Sequence, residues 1–518
     1  MSSLREKIAA VEKPLSFVSI SPTFLAAAPG LAVFLVLWIT TYRVVAFHLI
    51  AENAFGWWQS LGRGILESDG WVALTTLHIQ PPGFNALQLI DLHFTPDSHK
   101  VLGLMFGGMT ALCLLLIVDC VRAVGVRTRW AAVAGLVFAL LPATVAYSLW
   151  PFSTVPTMLA GALVLWGASR LAQRPVFGAL GIGVGGLWGF LNRPTFTWFV
   201  VLVLVVSAGI WLMRVRPRPR RFASAMAILM FSGLTVVGVQ LHYFVSFGLI
   251  STSSWTGENI VKALTQSGKL SIDAGVSSEF PETSCEANLV EALREGAWLV
   301  WRPADFANVT GCRDITPEAS KGILAWDSSA KDGRDDGAWE GNFNWSQRLV
   351  NSRVWNRAAI AVIASEPLQV ARMAFVGPTS GFALMMRPAH ELEGDFTPLV
   401  QQNPAYWFLS PFASLLAPLA LGLVAISWPF AIRSHRQSQS LLMTLSAGTF
   451  LIVSLTTLSL VEFGENQRFQ QELSPILLIM IAVSLHAIRR RSSNLPGTLA
   501  RHGEQASSEE SRGSASLR

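Results

Sequence analysis

The chain has 518 residues, of which 51% are hydrophobic and only 14% charged, with a formal net charge of +6 and a mean hydropathy of +0.44. That balance excludes a soluble globular protein of this size and describes an integral membrane protein. The positive charge does not describe a nucleic-acid binder either, because the basic residues fall in short clusters between apolar runs rather than in one patch.

The first apolar run begins near Pro22 and continues through FLAAAPGLAVFLVLWITTY, preceded by Arg5, Lys7 and Lys13. Its A-x-A match, Ala26 to Ala28, lies inside the run rather than after it, so the run reads as an uncleaved signal anchor. Further runs of membrane-spanning length follow, giving expected spans over 23–46, 99–121, 130–147, 154–171, 176–190, 195–213, 223–247, 404–431, 440–461 and 473–488. The expected fold is an all-α polytopic membrane protein of about ten transmembrane helices with a large extracytoplasmic loop domain.

Arginine clusters stand at Arg122, Arg127 and Arg129, at Arg170 and Arg174, in RVRPRPRR (214–221), at Arg433 and Arg436, and in RRR (489–491). Placing all of them in the cytoplasm with the N-terminus requires an even number of spans between each pair, and the runs supply it. Both termini are then cytoplasmic, in a plasma membrane, and segments 51–97, 248–400 and 461–472 face outward. The domain organisation that follows is an N-terminal transmembrane module (1–247) carrying the first outer loop (51–97), an extracytoplasmic domain (248–400), C-terminal transmembrane helices (401–490) and a polar, disordered cytoplasmic tail (491–518). Within the outer domain, NSRVWNRAAIAVIASEPLQVARMAFV (351–376) interleaves arginines with apolar residues, as an amphipathic surface helix or an ordinary loop helix would.

Cys113 and Cys120 fall in an apolar run and read as packing residues, whereas Cys285 and Cys312 lie in the outer domain. On an oxidising face the latter pair closes a disulfide worth ~3–4 kcal/mol by the chain-entropy estimate. No Cys or His spacing suggests zinc. GIGVGG (181–186) matches a dinucleotide fingerprint but lies within a membrane run, where small-residue helix contact is the better reading. The runs lack internal symmetry and mid-depth acids, which weighs against ion-coupled transport.

The first outer loop carries Glu52, Glu67, Asp69 and His78 interleaved with Trp57, Trp58 and Trp71. Carboxylates supply general bases, while indole faces stack on sugars or sit at a lipid interface. Pro81 and Pro82 stiffen the stretch LHIQPPGFNAL (77–87).

That stretch resembles the first outer loop of polytopic GT-C glycosyltransferases, the superfamily of dolichyl-phosphate-mannose protein mannosyltransferases and bacterial aminoarabinose transferases. NRPTF (192–196), SSWTGENIVKAL (253–264) and GENQRFQQELSP (464–475) are similar to other elements of the same superfamily, in the same order and on the same face. The resemblance implies a GT-C fold, a polyprenyl-phosphate sugar donor, and inverting transfer to an extracytoplasmic glycan, lipid or protein acceptor. Membrane lipids are then partners and nucleic acid is not, and no cofactor is required because the lipid-linked sugar is a substrate.

The chemistry asks for a carboxylate to take the acceptor's proton, cations to stabilise the departing phosphate, and aromatics to hold the sugar. The superfamily's aspartate aligns with Asn53, which cannot serve, so Glu52 is the expected base, ahead of Asp69, with Glu67 a further alternative. Arg193, Arg468 and Lys262 are the cations expected at the phosphate. His78, Gln80, Trp57, Trp58, Trp255 and Asn259 are the expected substrate contacts. Asn53 also leaves two other classes open: a transporter or flippase of a lipid-linked sugar, and a non-catalytic envelope-assembly subunit.

Overall fold

A long apolar run can satisfy its backbone away from water in an internally hydrogen-bonded helix, and the runs described here take that form. The computed structural model describes residues 21–45, 47–55, 60–77, 79–215, 217–255, 285–294, 311–312, 348–365, 367–368, 371, 404–433, 439–459 and 466–494. Among these are sixteen helices and no strand.

In chain order the first is α1 (Pro22–Val44), which is followed by three short helices, α2 (Phe47–Ala54), α3 (Arg63–Thr76) and α4 (Gly83–Phe94). Next come α5 (Lys100–Ala123), α6 (Thr128–Leu140), α7 (Pro142–Ser148), α8 (Thr154–Leu171), α9 (Pro175–Asn192), α10 (Trp198–Val215) and α11 (Pro219–Phe247). Segment 248–400 contributes α12 (Cys285–Arg294) and α13 (Arg348–Ser365), and α14 (Pro404–Arg433), α15 (Gln439–Ser459) and α16 (Asn466–Asn494) follow.

A helix occupies each of the ten segments expected to span. Six of them, α1, α5, α9, α10, α11 and the Gln471–Arg490 part of α16, are long and apolar enough to cross a membrane, and the bent pair α6–α7 makes up to seven. Large apolar side chains point away from the protein along these helices, among them Phe231 at 69% and Val245 at 71% exposure. Such a surface suits a hydrocarbon solvent and makes this a multi-pass membrane protein. The expected continuous span 130–147 is instead broken by a 60° bend between α6 and α7. Pro142 opens α7, and a proline there has no N–H to continue the preceding ladder.

Helix α8 falls short of the apolar criterion for a different reason. It is the centre of the bundle, packed by α5, α9, α15 and α16, and nearly all of it is buried. Enclosed on every side, it meets protein rather than lipid, and small and hydroxyl residues replace bulky apolar ones. Its contact with α9 is backbone against backbone. A Cβ on Gly181 would lie 2.7 Å from Gly167 Cα, and one on Gly167 would lie 2.6 Å from Gly178 O. The GIGVGG stretch thus makes a close helix crossing.

The helix ends sort into two poles. At one, Asp119 accepts hydrogen bonds from the Thr23 hydroxyl (2.7 Å) and the Trp166 indole (2.8 Å) and pairs with Arg170, while Arg122 donates to Thr23 (2.6 Å). This pole joins the start of α1 to the ends of α5 and α8, where the arginine clusters lie. Cys113 and Cys120 are free and buried in α5. The opposite pole carries the short helices α2 to α4 and residues 248–255, with α13 packed at the end of α11.

In the outer segment Cys285 and Cys312 form a disulfide. Helix α13 buries Ser352, Val354, Trp355, Ala358 and Ala359 and exposes Arg353, Arg357 and Ile360, with Leu349 against Tyr243 and Phe247 of α11.

Gly181→Val is expected to destabilise the protein by ~1–3 kcal/mol or more through overpacking. Gly238→Val, where nothing lies within 4 Å of the added Cβ, is expected to change stability by less than about 0.5 kcal/mol. Thermal unfolding of the two purified variants in one detergent compares them directly.

Candidate active site at the outer pole

The short helices α2 to α4 hold together through an apolar nucleus of Phe55, Leu61, Leu66, Ala73, Leu77, Ile79, Leu92 and Trp255. The stiff turn at 79–83 fastens this nucleus to the bundle. Ile79 O accepts from the Ser253 hydroxyl (2.5 Å), and Gln80 O accepts from the Tyr243 hydroxyl (3.3 Å). Gly83 opens α4 so close to the end of α9 that a Cβ there would lie 2.6 Å from Leu191 O. Asn85 Oδ1 then accepts from the Leu61 backbone N–H (2.7 Å), which ties the α2–α3 connection to α4. The prolines and the glycine therefore fix the loop against α9, α11 and the start of the outer segment.

Two polar clusters lie at this pole. In the first, Asp91 of α4 is fully buried, and a buried carboxylate needs donors. Its Oδ1 accepts from the Thr95 hydroxyl (2.8 Å) and the Leu102 backbone N–H (2.8 Å), and its Oδ2 meets His99 Nδ1 at 2.5 Å. His99 is 1% exposed, and its Nε2 meets Glu52 Oε2 of α2 at 2.9 Å. Arg63 of α3 donates to the same Glu52 Oε2 (2.9 Å) and to Glu67 (2.8 Å), and it reaches Asp97 at 3.9 Å. His99 is the one non-glycine with positive φ, 49°, among the described residues. Histidine tolerates that left-handed conformation better than most residues, at a cost of roughly 1–2 kcal/mol.

Both ring nitrogens of His99 thus face carboxylates, an arrangement in which both donate and the ring is charged. Burial pushes its pKa down, but the hydrogen bonds and charges of Asp91 and Glu52 outweigh this and raise it above the ordinary 6.5. Burial pushes Glu52 up, and the hydrogen bonds and charges of His99 and Arg63 outweigh that and hold it below the ordinary 4.5. Glu52 is therefore an ionised carboxylate with one oxygen, Oε2, committed twice. Its Oε1 makes no hydrogen bond among the described residues, and its side chain is 44% exposed. A cavity of about 400 Å³ at this pole is lined by Tyr42, Val45, Phe47, His48, Asp97, Ser98 and Lys100, and its Asp97 lies 3.9 Å from Arg63. Among the described residues no group of three or more His, Cys, Asp or Glu has metal-binding geometry.

In the second cluster, Arg193 is wholly buried where α9 ends. It pairs with Glu472 of α16 (3.3 Å), donates to Ser153 Oγ (3.3 Å) and sits 6.0 Å over the Phe152 ring. The neighbouring Gln471 donates to Thr144 (3.2 Å) in α7. Helix α4 bridges the clusters: Phe84 packs on Phe152 at its start (5.8 Å) and Asp91 lies two turns on, about 10–11 Å along a helix.

Of the residues expected from the sequence, Glu52 lies in the first cluster and Arg193 in the second. Asp69 occupies a position in α3 and Arg468 a position in α16 one turn before Glu472, but their side chains lie outside the described residues. Trp57, Trp58, His78, Asn259 and Lys262 also lie outside them. Gln80 and Trp255 are buried, Gln80 in the seam and Trp255 in the apolar nucleus. Sequence reasoning missed Arg63, Asp91, His99 and Glu472. The Arg63/Glu67 spacing of four and the Asp91/Thr95/His99 spacing of four and four were the available signals.

No protein-family model and no curated protein matches the chain. Among solved structures, the crystal structure of ArnT from Cupriavidus metallidurans in the apo state is similar at 13% identity and a TM-score of 0.27, over 84% of this chain and 77% of that chain. At that TM-score the likeness bears neither on the fold nor on the site.

Removing one partner of a buried ion pair leaves the other charge uncompensated. Glu472→Gln is accordingly expected to cost about 3–5 kcal/mol, and the double change Arg193→Met with Glu472→Met to recover most of that loss. Thermal unfolding of the single and double variants checks it.

Proposed function

We propose that this protein is a GT-C type membrane glycosyltransferase that moves a sugar from a polyprenyl-phosphate donor to an extracytoplasmic glycan, lipid or protein acceptor. The observation that carries the reading is the state of Glu52. It is an ionised, partly exposed carboxylate whose Oε2 is held by His99 and Arg63 and whose Oε1 makes no hydrogen bond among the described residues. The resemblance of the four sequence elements to that superfamily supports the same reading.

In the proposed step, Glu52 Oε1 takes the proton of the acceptor hydroxyl as its oxygen attacks the anomeric carbon. The bond from that carbon to the phosphate oxygen breaks, its electron pair leaves with the polyprenyl phosphate, and the anomeric centre inverts. Cations stabilise the departing phosphate. Of the three offered by the sequence, Arg193 is enclosed and neutralised by Glu472, so Arg468, on the turn before Glu472, takes first place and Lys262 remains an outer-domain candidate. The lipid-linked sugar is a substrate, and the step asks for no cofactor. A ten-span topology with both termini cytoplasmic, and an outer domain over 248–400 that shapes the acceptor site, complete the proposal.

The test is transfer of a labelled sugar from polyprenyl-phosphate donors by the purified protein in lipid. Glu52→Gln is expected to lower transfer by roughly 10²- to 10⁴-fold with donor binding retained, while Asp69→Asn leaves it within a few-fold. Loss on Asp69→Asn alone would move the base to that residue. Donor binding and flipping without transfer by the wild type would establish the transporter reading, which Asn53 favours.

A further inference from the structure

We infer that Asp91 and His99 are positioning residues for Glu52: the buried carboxylate fixes the imidazole, and the charged imidazole holds Glu52 Oε2 so that Oε1 is presented to the acceptor. The inference rests on the proposed function and adds two residues to it that lie 39 and 47 positions beyond Glu52 in the sequence.

The geometry is a chain of three side chains from three elements. Asp91 is locked by Thr95 and Leu102 and has Oδ2 left for His99 Nδ1. With Nδ1 engaged, the ring has one orientation, and Nε2 points at Glu52. His99 is held at φ 49°, which an unconstrained residue of this kind would seldom adopt. Backbone in a sparsely populated region persists where its surroundings over-determine it, and here those surroundings are the two carboxylates. A histidine serving only to fill space would need neither partner. Phe55 packs against the ring at 5.6 Å and limits its access to water.

The titratable and charged groups on the elements that meet at the ring are Glu52 and His48 of α2, Arg63 and Glu67 of α3, Asp91 and His93 of α4, Asp97 in the connection to α5, Lys100 at the start of α5 and the neutral Tyr42 of α1. Of these, Asp91 and Glu52 touch the imidazole. The consequence for pH follows from the two shifts. As pH falls below the lowered value of Glu52, the base is protonated and transfer stops. As pH rises through the raised value of His99, the imidazole loses its charge and its Nε2–H, and Glu52 Oε2 loses that anchor. Transfer is therefore confined between an acid limb below 4.5 and an alkaline limb above 6.5.

The experiment is the pH profile of kcat for sugar transfer by wild type, His99→Gln and Asp91→Asn in lipid, with binding of a non-transferable polyprenyl-phosphate sugar measured on each. His99→Gln keeps a donor toward Glu52 but carries no titrating charge. It is expected to lower kcat by roughly 10- to 100-fold, to abolish the alkaline limb and to move the acid limb up toward 4.5, with donor binding unchanged. Asp91→Asn removes one of the ring's carboxylates and is expected to move the alkaline limb to lower pH. A wild-type alkaline limb that survives unmoved in whichever of these variants still binds donor overturns the inference, as does a wild type with no such limb. A wild type that binds donor and transfers nothing at any pH overturns the proposed function, and this inference with it.

Discussion

Burying the carboxylate of Asp91 obliges its surroundings to supply donors, and the outer pole is arranged around that obligation. The backbone N–H of Leu102, the hydroxyl of Thr95 and the ring of His99 answer it from the turn between α4 and α5. Because His99 also reaches Glu52, satisfying one buried charge fixes the direction of a second, partly exposed one. Charge-assisted hydrogen bonds of this kind are stronger than neutral ones, and away from bulk water they are screened less. The partly exposed carboxylate of Glu52 is thus set by contacts two residues deep.

The bundle supplies the rigid frame for this arrangement. Helix α8 gives up lipid contact altogether and is packed by α5, α9, α15 and α16, while the glycines it shares with α9 let the two backbones touch. At one pole Asp119, Arg170, Trp166 and Thr23 tie three helices together. At the other, Arg193 and Glu472 tie α9 to α16. The first outer loop is fastened to the frame rather than draped over it. Ile79, Gln80, Gly83 and Phe84, all within or beside the proline turn, meet α9, α11, the outer segment and Phe152. Pro81 and Pro82 cost little there, since the carbonyls of Ile79 and Gln80, not N–H groups of the turn, make the long-range bonds.

Much of the fold was legible because a hydrocarbon solvent imposes a simple code of apolar length and arginine placement. Each expected span has a helix, and GIGVGG was readable as a close crossing from its composition. The bend at Pro142 and the enclosure of α8 were less readable, since both depend on which neighbours surround a run rather than on the run itself. At the site, Glu52 was singled out in the sequence as an acid among tryptophans and as the neighbour of Asn53, where the resemblance calls for a carboxylate. His99 and Asp91 were not, because the sequence places them beyond the loop's aromatic stretch and gives no sign of the left-handed turn that swings His99 back to Glu52. Arg193 was legible as a charge at a membrane boundary. Its pairing with Glu472, more than 270 positions away, was not, because no local pattern links two residues so far apart.

The central claim is that Glu52 acts as a base toward an acceptor whose proton must be removed. An acceptor with no proton to lose separates that claim from every structural role for the residue. Azide is such a nucleophile, and the measurement is cleavage of a polyprenyl-phosphate sugar by Glu52→Ala in lipid with and without it. Azide is expected to restore donor cleavage and to yield a glycosyl azide of inverted configuration. Donor that stays bound but uncleaved at any azide concentration, with wild type active under the same conditions, would contradict the account.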